Sequence, residues 1–288
     1  MRFDSFKDFL RATPAALAKG PVALIFVEDD VELASTLRHH LDCGFKNVIA
    51  FAPSHIEIPD AVADETHAVT LDTSRSNALF DTVNAAISAA APGVWLYYCY
   101  NAEYLFYPFC EHRTVGELTA FVAEERRDAL MSYVVDLYAD DLAAHPSAVD
   151  LKNAHLDRSG YYALSRKDRW NNAIERQMDF FGGLRWRFEE HIPANRRRID
   201  RVSLFRAQKG LTLRPDFTLS EPEMNTYQCP WHNNTSATVC SFRTAKALKR
   251  NPGSTYDIST FRWYNSVPFT WHSQQLLDLG LMEPGQWF

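Results

Sequence analysis

What this sequence lacks sets the first limits on its function. No apolar run reaches the roughly 18 residues that a membrane-spanning helix needs. Basic charge is not in excess: 36 acidic side chains against 30 Lys and Arg leave a formal net charge of -6. A duplex-binding protein carries a basic footprint, so nucleic acid is not an expected partner. Cysteine is sparse and odd in number, with Cys43, Cys99, Cys110, Cys229 and Cys240 forming no C-x-x-C pair. That pattern argues against a disulfide framework and predicts reduced thiols in a reducing compartment. Neither G-x-x-x-x-G-K-[ST] nor G-x-G-x-x-G occurs, which removes the usual phosphate loop and dinucleotide fingerprint. There is no internal repeat and no low-complexity linker. The opening residues, MRFDSFKDFLRATPAALAKG, alternate charged and apolar side chains and do not read as a signal peptide. A soluble, cytoplasmic protein without a transmembrane segment is the expectation.

What is present is ordinary globular composition, 46% hydrophobic and 23% charged, enough for one large core or two modest ones. Phe3, Phe6, Phe9 and Leu10 recur at helical spacing. Pro21–Val27 is a continuous apolar run of strand length, as expected of a strand covered on both faces. Glu28-Asp29-Asp30 follows at its carboxyl end, and Leu33, Ala34, Leu37 and Leu41 then mark a helix with an acidic first turn. Gly44 ends it and Val48–Ala52 is the next strand, completing a β-α-β unit. His39-His40 sits on this helix; adjacent positions do not share a face, so one ring is expected to pack underneath and the other to be solvated. His67–Leu71 reads as a third strand ending at Asp72, and Leu79, Val83, Ile87 and Ala90 as a helix stripe.

That helix leads into Val94–Pro108, VWLYYCYNAEYLFYP, the stretch around which the chain is organised. It reads as a buried fourth strand, a polar break at Asn101-Ala102-Glu103, and an aromatic exit. Ligands of open α/β sheets sit outside the carboxyl ends of the strands, and Glu103 stands just past such an end. Read from the residues alone, Glu103 is a solvated turn acid. Thr114-Val115-Gly116-Glu117 is a capping-box pattern, and Ala129–Tyr138 is another buried strand carrying Asp136 near its end. Alternating strand and helix to this point predict an α/β fold with a mostly parallel sheet flanked by helices. Beyond about residue 145 the pattern loosens into an α+β part, with short strands expected at Tyr161–Leu164, Arg185–Phe188 and Arg201–Arg206.

WLYYCYNAEYLFYP resembles the segment W-h-h-x-h-D-A-D-E-F-L-x-x-P of family-2-like glycosyltransferases, which have the GT-A fold, a Rossmann-like sheet. VALIFVEDDVELASTLRHHLDCGFKNVIAFAPS is similar to the first unit of the same family at Glu28, Leu33, His39-His40 and Gly44. Gly182, Gly183 and Arg185 look similar to the family's G-G-x-R, and Thr238–Arg243 to its h-h-H-F-K. The resemblance covers about the first 245 residues. It implies a GT-A-like domain over 1–245, with 246–288 an aromatic-rich extension packing on the same domain.

The resemblance implies inverting transfer of a sugar from a nucleotide-sugar donor, of UDP type as a first guess, to a hydroxyl of a glycan or other acceptor. Glu28, Asp72, Tyr100, Asn101, Glu103, Gly182, Gly183 and Arg185 fall on the nucleotide-sugar side. Glu189, Glu190 and Asp136 are the candidate bases. The family's metal-side aspartates fall on Tyr100 and Ala102, and its metal-side His on Ser241. The usual ligands of a Mn or Mg ion are therefore missing and no metal ligands are assigned; a divalent cation stays open as a cofactor, and the joint loss fits a site that needs no cation or one that no longer does chemistry. A cluster of Arg185, Arg187, Arg196, Arg197, Arg198 and Arg201 could clamp a diphosphate instead, or be a solvated face. The alternative function is a non-catalytic nucleotide-sugar or glycan binder on the same scaffold. Cys229-x-x-His232 with Cys240 is a weak zinc pattern of three ligands at irregular spacing. Trp263, Tyr264, Phe269, Trp271 and Trp287 crowd the tail, suited to sugar stacking and, in the preferred reading, to packing.

Overall fold

A computed structural model describes residues 2–287. Met1 and Phe288, the outer ends of the two expected segments, lie outside the described residues. In chain order the elements are β1 (Arg2–Phe3), α1 (Phe6–Ala12), β2 (Val22–Phe26), α2 (Leu33–Asp42), β3 (Asn47–Ala52), α3 (Asp60–Ala63), β4 (Thr66–Thr70), α4 (Ala78–Ala89), β5 (Trp95–Tyr100) and β6 (Glu103–Phe106). There follow α5 (Val115–Glu124), β7 (Ala129–Asp136), β8 (Tyr138–Ala139), β9 (Ala154–Asp157), β10 (Tyr162–Lys167), β11 (Ala173–Phe181) and α6 (Leu184–Arg187). The chain ends with β12 (Asp200–Arg206), β13 (Ala237–Ser241), α7 (Arg243–Arg250), β14 (Ser266–Pro268) and α8 (Ser273–Asp278).

Among the described residues a nine-stranded sheet runs in the order β1-β4-β3-β2-β5-β12-β7-β13-β6. β1 with β4, β4 with β3, β3 with β2, β2 with β5 and β7 with β13 pair in parallel, while β12 runs antiparallel to β5 with Leu204 opposite Tyr97. The mixed α/β class and the large, mostly parallel sheet with helices are thus as expected. The chain separates into two compact, interleaved units. The first holds the chain up to Tyr104, His112–Met131 and Val202–Asn225; the second holds Leu105–Glu111, Ser132–Arg201 and the chain from Thr226 on.

In the first unit, every residue of β2 is buried, which is why VALIF carries no alternation. Phe26 stacks on Phe51 of β3 with ring centres 5.1 Å apart. α5 opens with the capping box as expected: Thr114 Oγ1 accepts from the Glu117 N–H, and the Glu117 carboxylate accepts from the Thr114 N–H at 2.7 Å. The acids expected in the first turn of α2 lie ahead of it instead. Glu32 is its left-handed N-cap, because the loop of residues 28–31 is held in place by Asn101.

The two histidines divide as expected. His40 is fully buried, stacked on Tyr97 at 5.3 Å, while His39 lies edge-on to Tyr104 at 5.4 Å and is half-buried. The Nδ1–H of His40 donates to the Thr36 carbonyl at 2.7 Å. Burial pushes the His40 pKa down to about 3, so the ring is neutral inside the fold. In the unfolded chain it titrates near 6.5, so falling pH favours unfolding from about 6.5 down to about 3. Urea midpoints measured across that window should fall steadily in the native protein. His40→Gln should fall less steeply; an identical slope would remove His40 as the cause.

The second unit is the looser α+β part. β10 and β11 form an antiparallel hairpin, and β14-β9-β8 a three-stranded sheet. Residues from 246 on belong to this unit, with Phe261, Ile258 and Leu248 buried beside Tyr138 and Leu184. The strand expected at Arg185–Phe188 is instead the short helix α6. The chain enters it through Gly183 at φ 63°, and the Arg185 N–H closes on Asp136 rather than on a neighbouring strand. All five cysteines are free thiols. No helix among the described residues is long and apolar enough to cross a membrane.

Candidate functional site

In the first unit, β2, β3 and β4 are laid down in one direction and β5 on the other side of β2. The strand order reverses between β2 and β5, and crevices at such switch points, outside the carboxyl ends, are where open α/β sheets take ligands. Asn101 sits at this point, fully buried. Its Oδ1 accepts from the Glu28 N–H at 2.9 Å. Its Nδ2 donates to the Asp29 carbonyl, to Asp29 Oδ1 at 2.8 Å and to the Val31 carbonyl at 2.9 Å. One amide therefore shapes the whole loop after β2, leaving Glu28 exposed and Asp29 half-buried at its rim. The loop after β4 returns to the same edge, where the Thr73 hydroxyl donates to the Val27 carbonyl at 2.6 Å. Asp72 is exposed beside it and holds the Ser74 hydroxyl, which keeps its carboxyl below the usual range.

Glu103 is not a solvated turn acid. It is fully buried in β6, and its Oε2 accepts from the Tyr100 N–H at 2.9 Å. The turn that makes this bond needs a left-handed residue, Ala102 at φ 58°, whose N–H donates to Thr36 Oγ1. The carboxylate is thus turned back to close the β5–β6 turn. For a divalent cation the donor set at these positions does not fit. Tyr100 and Ala102 bring no carboxylate, and Glu103 is directed to a backbone amide. Among the described residues no three His, Cys, Asp or Glu side chains gather as a metal site. The zinc pattern is not assembled either: Cys240 is buried in β13, and Cys229 Sγ lies against the His232 carbonyl.

In the second unit the predicted residues Asp136, Gly182, Gly183 and Arg185 come together. Asp136, at the carboxyl end of β7, is 2% exposed. Its Oδ2 accepts from the Arg185 N–H at 3.3 Å, and Arg185 Nε lies 3.4 Å from Oδ1. Oδ1 has no hydrogen-bond partner. Burial raises the Asp136 pKa, and the Arg185 charge pulls against it. Gly183 supplies the closeness: a Cβ there would stand 3.0 Å from Asp136 Oδ2. At Gly182, with φ 153°, a Cβ would stand 2.2 Å from the Tyr161 ring. The Tyr161 ring therefore packs against bare backbone, with its buried hydroxyl also lacking a hydrogen-bond partner. Tyr161 was not legible as a site residue; its only sequence signal is Gly160 before it.

The arginines expected to clamp phosphate are largely engaged within this unit. Arg185 donates to the Arg198 carbonyl and Thr244 Oγ1 besides meeting Asp136. Arg187 pairs with Asp157, Arg197 with Glu189, and Arg198 with Asp179 and Asp200. Arg185 is placed to hold Asp136. Glu189 and Glu190 lie exposed in a one-turn 3-10 helix after α6, with Glu189 tied to Arg197 at 2.9 Å.

No protein-family model matches this chain, and no curated protein matches it significantly.

Proposed function

We propose that this protein is a glycosyltransferase of GT-A type that moves a sugar from a nucleotide-sugar donor to a hydroxyl acceptor with inversion. The observation that carries the reading is Asp136: a buried carboxylate beside Gly183, whose Oδ1 faces the Arg185 guanidinium as an ion pair without accepting a hydrogen bond from it. An acceptor hydroxyl would supply the hydrogen bond that Oδ1 lacks. Asp136 takes its proton, the hydroxyl oxygen bonds to the anomeric carbon, and the bond from that carbon to the diphosphate breaks on the opposite face. A carboxyl whose affinity for protons is raised by burial suits this work better than the exposed Glu189 or Glu190. Taken by itself, the first unit offers the loops that Asn101 and Thr73 shape around Glu28 and Asp72 for nucleotide binding. No step is routed through a metal, because the residues at the family's metal positions do not fit one.

The test is turnover of a panel of UDP- and GDP-sugars, with a chelator and with added manganese. Release of nucleoside diphosphate that persists with chelator supports the reading. Arg185→Lys should lower it, since a lysine cannot hold Asp136, Thr244 and the Arg198 carbonyl at once. A second reading, a non-catalytic nucleotide-sugar or glycan binder, is favoured by the loss of carboxylates at Tyr100 and Ala102. Binding of the nucleotide without turnover of any donor would establish it.

A further inference from the structure

Large exposed apolar side chains among the described residues, Tyr162, Leu164, Trp170, Trp186, Trp231, Tyr256 and Tyr264, all belong to the second unit. Most stand singly, which needs no explanation. Two of them do not. Trp186 is 41% exposed and Tyr264 81% exposed, and both flank Trp263. The Trp263 ring lies 6.3 Å from Trp186 at 61° and 4.8 Å from Tyr264 at 60°. We propose that these three rings are a stacking subsite for a pyranose ring, so that the second unit binds carbohydrate.

The central ring is fixed from below. Trp263 Nε1 donates to the buried Asp157 at 2.7 Å. The Arg187 guanidinium lies 4.5 Å from the Trp263 ring centre and pairs with the same Asp157 at 3.1 Å. Tyr138 adds a third donor to Asp157 at 2.6 Å, and the Ser266 hydroxyl accepts from the Trp263 backbone N–H. A buried ion pair is a costly way to gain stability, but it holds geometry well. Here what it holds is an indole at the surface. Gly160 completes the shape. At φ 96°, its missing Cβ would stand 3.2 Å from Trp186 and 3.7 Å from Trp263, so a side chain there would wedge against both indoles.

The size of the patch decides the class of ligand. Aromatic side chains expose about 150–250 Å² each when free. At these exposures the three offer on the order of 300 Å², well under the roughly 800 Å² per partner of a stable protein interface. A sugar ring matches it: an axial C–H face for the aromatics and hydroxyls for the rim. That rim is polar, with Arg158 and Ser159 exposed and Arg158 Nε bonded to Asn265 Oδ1 at 3.3 Å. Trp186 stands on α6, the helix that starts beside Asp136 at Gly183. The subsite thus names the acceptor of the transfer proposed above as a glycan, and rests on that reading only for the word acceptor.

The experiment is titration of the full chain with oligosaccharides of glucose, galactose, mannose and N-acetylglucosamine, read by tryptophan fluorescence and calorimetry. UDP and GDP binding is measured alongside. At least one oligosaccharide should bind and shift the indole emission. Trp186→Ala and Tyr264→Ala should each weaken it about tenfold, and Tyr264→Phe should keep it. Trp231→Ala, at an exposed tryptophan outside the patch, should leave it unchanged. No binding by any oligosaccharide, or binding that both alanine variants retain, overturns the subsite. Nucleotide binding with no sugar binding sinks the subsite alone. Sugar binding with no nucleotide binding sinks the transferase reading and leaves the subsite standing.

Discussion

Asp136→Asn should lower sugar transfer by about 10²–10⁴-fold, the usual worth of a positioned general base. The amide has nearly the same shape and can still accept from the Arg185 N–H, so the fold around Gly183 is kept. It cannot take a proton. Nucleotide affinity should stay within a factor of about two, because removing a general base lowers turnover without removing a contact to the nucleotide. Glu189→Gln and Glu190→Gln are the controls: both acids are exposed, and their loss should cost little. The pH profile supplies a further readout. Burial raises the Asp136 pKa, so native activity should rise with pH as this carboxyl ionises, and residual activity of the asparagine variant should lack that limb. Full activity in Asp136→Asn, or a collapse in either glutamine variant, would move the base elsewhere.

The second large effect is on the fold itself. Asn101→Ala should destabilise the protein by about 2–4 kcal/mol, lowering the melting temperature by on the order of 5–10 °C. The amide serves the Glu28 N–H, both the carbonyl and the carboxylate of Asp29, and the Val31 carbonyl. Removing it strands partners at a fully buried position. Asn101→Asp should be worse near neutral pH. A carboxylate would face the Asp29 carboxylate and two carbonyls it cannot bond, and part of the loss should return on acidification. Nucleotide binding should fall in both variants, since the loop carrying Glu28 loses its anchor. An alanine variant that melts like the native chain would show that water replaces the amide without cost.

How much of this was legible depended on whether a residue's role was local. The run VALIF, the stripe through Leu33 and Leu37, and the Thr114–Glu117 box were read correctly because strand, helix and cap each have a short-range signature. The split fate of His39 and His40 followed from helix geometry alone. Glu103 was misread because an acid after a strand looks solvated. Its burial depends on the left-handed Ala102, which no propensity announces. Arg185–Phe188 was misread for a similar reason: alternating Arg and aromatic residues imitate a strand, and only the contact with Asp136 turns them into a helical turn. The arginine cluster was visible as composition, but Asp157 and Asp179, which pair with Arg187 and Arg198, lie 30 and 19 residues away in the chain, too far to be matched by spacing.

Both units are assembled from separate stretches of chain, and this constrains how the molecule can be made. On the ribosome, the first hundred residues emerge without β12, the antiparallel neighbour of β5, which is synthesised a hundred residues later. Until then the edge of β5 has bare amides and carbonyls, the condition under which nascent strands mispair. Truncation carries the same penalty. No single cut yields either unit intact, so a stable half-protein would have to be built by circular rearrangement or by joining distant pieces of the gene.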